Sequence, residues 1–435
     1  MKLVFANALH PDVAHVAGMR VPYLGREMSR RGHQVLLLTS TLAESDRASL
    51  QPQQLREAIA RHDWSQPLHL AVPPRPDAAL RAVRDGSLPA PARRVVTLYY
   101  QLRHLGVFED WVAGCEPYAA ALAAAWDPDL VWGTFGSTGT LKVAQRIARR
   151  SRVPWVIDFK DSWSYFLHPW LRSYVAWRFR DASAATANAE FTRSIARRWF
   201  DPLETTVIYS GVADVFFEEE PTSGTGPANE LLLVGGVYSE SRLREFLTAL
   251  QAWLDGSPPP VRESVRLTYF GADGARVRRV VDAMRLSCAV EVQAFVRLPE
   301  MARRCRDALA CCYIKYEETF HHKLLELLVA GRPVICYPAE TEESLALCRS
   351  FRTPMLSCAS AGALGEAFSR AWQLRGEPRA ASGRSPWTWA ARAAELEAVL
   401  ESVLARGRDT GEGRRAAGQG SLTLEGRDPS PRSQR

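Results

Sequence analysis

Residues 309–337 constrain this chain more than any other stretch. Leu309 to Tyr316 is rich in apolar residues, and its length suits a buried strand of a parallel sheet. Glu317 and Glu318 stand where that strand ends, and Thr319 to His322 make a short polar turn. Lys323 to Ala330 reads as a helix with Leu324, Leu327 and Leu328 on one face. Gly331 stops it as the residue after the C-cap, and Pro333 forbids its continuation. Val334 to Tyr337 is the next strand. A strand–loop–helix–strand unit of this kind binds ligands beyond the carboxyl ends of its strands.

The polar residues suit such docking. Lys323 and Glu326 are three apart and share a helix face. The N–H groups from about Phe320 to Lys323, through His321 and His322, open the helix towards an anion. An anion-binding edge with Glu318 on one side and Glu326 on the other suits a ligand with phosphates in the middle and hydroxyls at both ends, such as a nucleotide-sugar. Thr319 and Leu324 are counted with this donor-binding edge. The competing reading is a solvated helix with two carboxylates at a chance spacing.

The stretch ETFHHKLLELLVAGRPVI, with seven residues between Glu318 and Glu326, resembles the Glu-x7-Glu signature of family-4-like glycosyltransferases of the GT-B fold. That resemblance implies two Rossmann-like, doubly wound α/β domains facing each other across a cleft. It also implies that Glu318 touches the donor sugar, Glu326 the ribose and Lys323 the diphosphate. GMRVPYLGREMSRRGHQVLLLTS looks like the opening of the same family, where a glycine loop ends near the donor phosphates. Gly18 is then either that glycine or a plain turn residue. PDLVWGTFGSTGTLKVAQRIARRSRVPWVIDFKDSW resembles a further family segment. In it, Asp158 and Asp161 either orient an acceptor hydroxyl or serve as a helix cap or as ion-pair partners of Lys160. The family also places a glycine loop, here Gly235 and Gly236, and a nearby cation, Arg242, on the phosphates. Phe295, Val296 and Arg297 then become base-pocket candidates. TTVIYSGVADVFF resembles the family's hinge entrance, with Ser210 and Ala213 in place of the commoner Asn and Asp.

At 435 residues the chain exceeds one ordinary core. The acidic, then Gly-, Pro- and Ser-rich run 217–230 reads as a linker. The expected layout is a first domain over 1–216, a second over 231–385, a closing helix over 386–405 and a disordered tail over 406–435. Residues 45–125 look irregular. Within them, Val95 to Ala125 reads as one or two helices whose Tyr99, Tyr100, Phe108 and Trp111 are mostly core, since helical spacing explains them without a ligand; the alternative is that Arg93, Arg94, Tyr99, Tyr100, Arg103 and His104 meet a lipid or sugar acceptor. The helix from Trp170 to Arg180 mixes aromatics with arginines and suits either domain packing, the preferred reading, or a membrane interface.

Net charge is +7, which favours anionic partners. Eight cysteines without a C-x-x-C pair read as buried thiols of a reducing compartment. Lys2 precedes only a short apolar run, unlike a signal peptide, and no stretch has the length of a membrane span. The expectation is a cytoplasmic enzyme, with the inner membrane face as an optional peripheral contact. It would take a nucleotide-sugar as substrate, need no metal or resident cofactor, and bind no nucleic acid. The acceptor is a glycan, a lipid-linked sugar or a small molecule. The family implies retention at the anomeric carbon and gating by domain closure. Three other classes fit in part: a sugar-nucleotide 2-epimerase of the same fold, a nicotinamide oxidoreductase, which the missing G-x-G-x-x-G speaks against, and a non-catalytic nucleotide-binding scaffold.

Overall fold

The computed structural model describes residues 1–13, 18–43, 46–163, 167–218, 229–294, 296–316, 320–380, 383 and 386–419, with backbone alone for 408–419. Its first sheet is built from β1 (Lys2–Ala6), β2 (Gln34–Ser40), β3 (Leu68–Val72), β4 (Leu130–Thr134), β5 (Trp155–Phe159), β6 (Ala184–Ala187) and β7 (Thr205–Val207). Around it lie α1 (Arg20–Arg30), α2 (Leu55–Arg61), α3 (Ala78–Arg84), α4 (Ala90–His104), α5 (Glu109–Ala125), α6 (Thr138–Ser151), α7 (Pro169–Arg178) and α8 (Glu190–Trp199). The second sheet takes β8 (Glu230–Val234), β9 (Arg266–Phe270), β10 (Ala289–Gln293), β11 (Ala310–Ile314), β12 (Val334–Tyr337) and β13 (Met355–Ser357). Its helices are α9 (Glu240–Asp255), α10 (Pro259–Ser264), α11 (Gly274–Met284), α12 (Leu298–Asp307), α13 (Lys323–Ala330), α14 (Glu342–Cys348) and α15 (Ala361–Gln373). The last element is α16 (Trp389–Gln419).

Strand order is β3-β2-β1-β4-β5-β6-β7 in one sheet and β10-β9-β8-β11-β12-β13 in the other. Every pairing is parallel. In each sheet the order reverses beside the first strand, β1 or β8, which makes that place the switch point where ligands dock. Both faces of each sheet are apolar and covered, as parallel strands require. The expected α/β architecture of two doubly wound domains is the one observed.

The boundaries of α13 and β12 match the sequence reading, because Gly331 and Pro333 act locally. Gly331 adopts φ +80°, and its N–H closes the helix on the Leu328 carbonyl. Other expectations need correction. The segment taken as irregular holds β3, α2 and α3. Only Leu70 to Val72 of β3 are buried, so its pattern is weak. Trp111 is core, but α4 has no buried residue, and Tyr99 stands in solvent. On α7 the packing face is Leu171, Val175 and Ala176, while Trp170, Tyr174 and Trp177 face outward.

The first domain was expected to run to residue 216. Instead Val212, Ala213 and Phe216 already lie in the apolar cluster of the second sheet. The helix expected to end near 405 continues to Gln419, into the segment read as a disordered tail; 420–435 and most of the linker, 219–228, lie outside the described residues. The last helix packs on the first domain. Trp389, Ala393, Leu396 and Leu400 join Leu3, Val21, Leu24 and Trp132 in one cluster on the first domain.

The two chain crossings between the domains touch. The Val212 N–H donates to the Trp387 carbonyl at 2.7 Å, and Val212 bridges Thr388. A Cβ on Gly211 would stand 2.5 Å from the Trp389 nitrogen, so only glycine fits. Gly211→Val is expected to overpack this crossing and cost about 1–3 kcal/mol. Urea denaturation of the whole chain measures it.

Candidate active site

The carboxyl edge of the second sheet gathers the charged residues of α13 and the turn after β8. Gly235 has φ +96°, and a Cβ there would collide with the Lys323 Nζ. The bare glycine therefore lets the lysine lie against the turn, where Nζ donates to the Val234 carbonyl at 3.1 Å. It also sits 5.2 Å from the centre of the Tyr313 ring. Among the described residues no carboxylate comes within ion-pair distance of this ammonium. Burial lowers its pKa from 10.5 to about 8; the charges of Cys336 and Glu340 oppose the shift. Burial, then Lys323 and Lys315, push His321 down to about 3, so it is neutral at pH 7.

The Leu324 and Leu325 N–H groups turn back onto the His321 and His322 carbonyls at 2.9 and 3.2 Å. Among the described residues, this leaves the N–H groups of His322 and Lys323 as the pair that opens the helix. Arg242, expected on the diphosphate, spends one terminal nitrogen on the Lys315 and Tyr316 carbonyls at 2.8 and 2.7 Å. It fixes the chain that leads into the acidic loop. Glu318, Thr319 and Phe295 lie outside the described residues.

Glu326 faces the other way along the helix. Its Oε1 is 3.3 Å from the His322 Nε2, and His322 lies 5.8 Å from the Trp389 ring. Trp389 in turn stacks on Tyr23 of α1 at 5.2 Å. Burial raises the pKa of Tyr23, and Glu326 adds to the rise while Arg26 opposes it, so the carboxylate and the phenol are neighbours across the domain boundary. The side chains of Phe320 and Leu324 are core, with Phe320 edge-on to Tyr209 at 5.3 Å. Of the base-pocket candidates, Val296 packs against the same cluster and Arg297 is exposed. Gly236 sits under the Tyr238 ring, so Gly235, not Gly236, makes the approach to Lys323.

On the first domain Asp158 is closed off. It takes two hydrogen bonds from Arg20, Nε to Oδ2 at 3.0 Å and Nη2 to Oδ1 at 2.9 Å, and a third from the Thr186 hydroxyl at 2.7 Å. Both side chains are buried. A carboxylate so occupied holds α1 to β5 and presents no free oxygen to an acceptor, which corrects its catalytic assignment. Asp161 keeps 40% of its side chain exposed, with the Lys160 Nζ at 3.8 Å. Burial lowers the pKa of that lysine, while Asp161 and Asp158 oppose the shift. Gly18 is packed beneath the carbonyls of His10, Pro11 and Val13.

Two residues escaped the sequence reading. Glu343 of α14 accepts from the Glu190 and Phe191 N–H groups, at 2.6 and 3.1 Å, and from the Tyr209 hydroxyl at 2.8 Å. It caps α8 from the opposite domain. Arg20 was the other, and its only local signal is a cation at the start of α1.

Residues 17–211 match the family model described as a glycosyl transferase 4-like domain. The chain's first domain is therefore similar to that glycosyltransferase family. No curated protein matches it in sequence. Among solved structures it resembles sucrose-phosphate synthase from Thermosynechococcus elongatus, at 15% identity and TM-score 0.61, over 95% of this chain and 99% of that one. Anabaena HepE, in complex with UDP and glucose, follows at 14% identity and TM-score 0.56, over 95% of this chain and 100% of that one. A putative UDP-N-acetylglucosamine 2-epimerase from Listeria monocytogenes is similar at 11% identity and TM-score 0.52, over 92% and 96% of the two chains. At such identities the likeness is one of fold. Among the described residues, no helix is long and apolar enough to cross a membrane.

Arg20→Ala leaves the Asp158 carboxylate buried and unpaired, with an expected cost of about 3–5 kcal/mol; urea denaturation reads it. Lys323 gives a pH test. Its folded pKa lies below the unfolded 10.5, so folding opposes its charged form. Stability relative to Lys323→Met is expected to be lowest below about pH 8 and to rise between about pH 8 and 10. Paired urea titrations across that window check the direction.

Proposed function

We propose that this protein is a glycosyltransferase that moves a sugar from a nucleotide-sugar to an acceptor hydroxyl, with the diphosphate held at the opening of α13. The observation that carries this reading is Lys323, a half-buried cation against a glycine turn with no carboxylate in ion-pair distance among the described residues. Desolvation without pairing makes it a strong partner for an incoming anion. The N–H groups of His322 and Lys323 supply further positive potential. Glu318 is assigned to the sugar hydroxyls and Glu326 to the ribose.

In the transfer the bond from the anomeric carbon to the diphosphate oxygen breaks, and the acceptor oxygen bonds to that carbon. The acceptor proton passes to the departing diphosphate, whose charge Lys323 and the N–H pair stabilise. Front-face attack of this kind retains configuration. Positioning supplies the rest of the acceleration. Neither a metal nor a resident cofactor enters this scheme. Asp161, Lys160 and the carboxyl edge of the first sheet form the acceptor side, and peripheral contact with a membrane fits the outward aromatics of α7.

UDP-sugars are the first donors to test, because HepE is described in complex with UDP. Lys323→Ala and Glu326→Ala are each expected to weaken donor binding by about 1.5–3 kcal/mol while the fold persists. Isothermal titration with UDP-glucose, and with GDP- and dTDP-sugars, reads the affinity. Circular dichroism reads the fold. Wild-type affinity in both variants removes the site assignment. Release of an epimerised donor without an acceptor would favour the epimerase reading.

A further inference from the structure

Helix α4 has no buried residue, whereas every other helix of the first domain buries at least one side chain. Val95, Leu98, Tyr99 and Leu102 are 68, 43, 56 and 48% exposed. Their spacing of three, four and seven residues puts them in one stripe along the helix. At about 100° per residue, Arg94 and Arg103 fall on either side of that stripe. Both are exposed, and α4 has no acidic residue.

The helix is firmly held from behind. The Tyr100 hydroxyl donates to Asp77 at 2.6 Å, and the Lys142 Nζ donates to the His104 carbonyl at 3.0 Å. The α3–α4 hairpin leaves the carboxyl end of β3 and returns through α5, so it rises from the sheet edge that bears the acceptor side. The outward aromatics of α7 lie over the same sheet face. Their helix packs through Val175 and Ala176 into the cluster that holds Leu105 and Trp111.

We propose that α4 is a docking helix for an anionic lipid bilayer. Its apolar stripe enters the boundary between headgroups and acyl chains, and Arg94 and Arg103 take the headgroup phosphates. A second copy of the chain is a poorer occupant, because a two-fold contact through this face sets arginine against arginine. The inference deepens the transferase reading and rests on it for one point: the acceptor reaches the cleft from the bilayer surface.

The test sediments the full chain with phosphatidylcholine vesicles, with and without phosphatidylglycerol. Binding is expected only with the anionic lipid, and it weakens as salt rises. Leu98→Asp with Leu102→Asp is expected to lower the partition by at least roughly tenfold. Thermal midpoint and UDP-sugar binding stay unchanged in that variant. Arg94→Glu with Arg103→Glu is expected to lose the preference for anionic lipid. The proposal is overturned if the wild type stays in the supernatant at low salt, or if the Asp variant sediments like the wild type. A lipid-free dimer that the Asp variant dissolves also overturns it and assigns the face to a second copy. Absence of UDP-sugar binding in the wild type would remove the transferase reading while leaving the vesicle result standing.

Discussion

The structure depends on the close contact of two chain crossings. One strand of chain leaves the first domain at Gly211, another returns at Trp389, and the two lie backbone to backbone because Gly211 has no side chain. This contact sets where α16 begins. It therefore sets the seat of Trp389 between Tyr23 of the first domain and His322 of the second. Glu326, next to His322, inherits its position from that stack. Glu343 adds a second tie by capping α8 across the boundary. The arrangement of the cleft thus follows from packing at the crossing, not from the site residues themselves.

A buried cation, Arg20, and a half-buried one, Lys323, illustrate how pairing sorts structure from chemistry. Arg20 gives its Nε and Nη2 to Asp158, and the pair is shut away from solvent. Such a pair gives rigid register between α1 and β5, and the Asp158 carboxylate is occupied by Arg20 and Thr186. Lys323 is half-buried, and among the described residues it meets a carbonyl and a ring face but no carboxylate. Its lowered pKa records that incomplete compensation. The uncompensated charge is the one suited to a diphosphate, which is why the second domain is read as the donor side.

The parts of the site that were legible in the sequence were local ones. The limits of α13 follow from Gly331 and Pro333, and the Lys323–Glu326 spacing is visible in eight residues. What misled was equally specific. Asp158 ends a strand at the functional edge, as an acceptor-side carboxylate does, yet its partner Arg20 is 138 positions away. Tyr99 and Leu102 carry core-like spacing, but no second layer covers α4. Gly236 and Gly235 look alike in sequence, and only the positive φ and the lysine beside it single out Gly235.

By itself the sequence determined that strands and helices alternate, that two parallel sheets result, and that a cation and a carboxylate sit three residues apart at one strand edge. These are consequences of apolar periodicity and of glycine and proline, whose effects reach only a few residues. Tertiary structure alone decided which charged groups are consumed by one another and which remain for a ligand. It also decided which apolar stripe is core and which is surface. Both depend on what lies opposite in space, and a linear pattern of side chains holds no record of that partner.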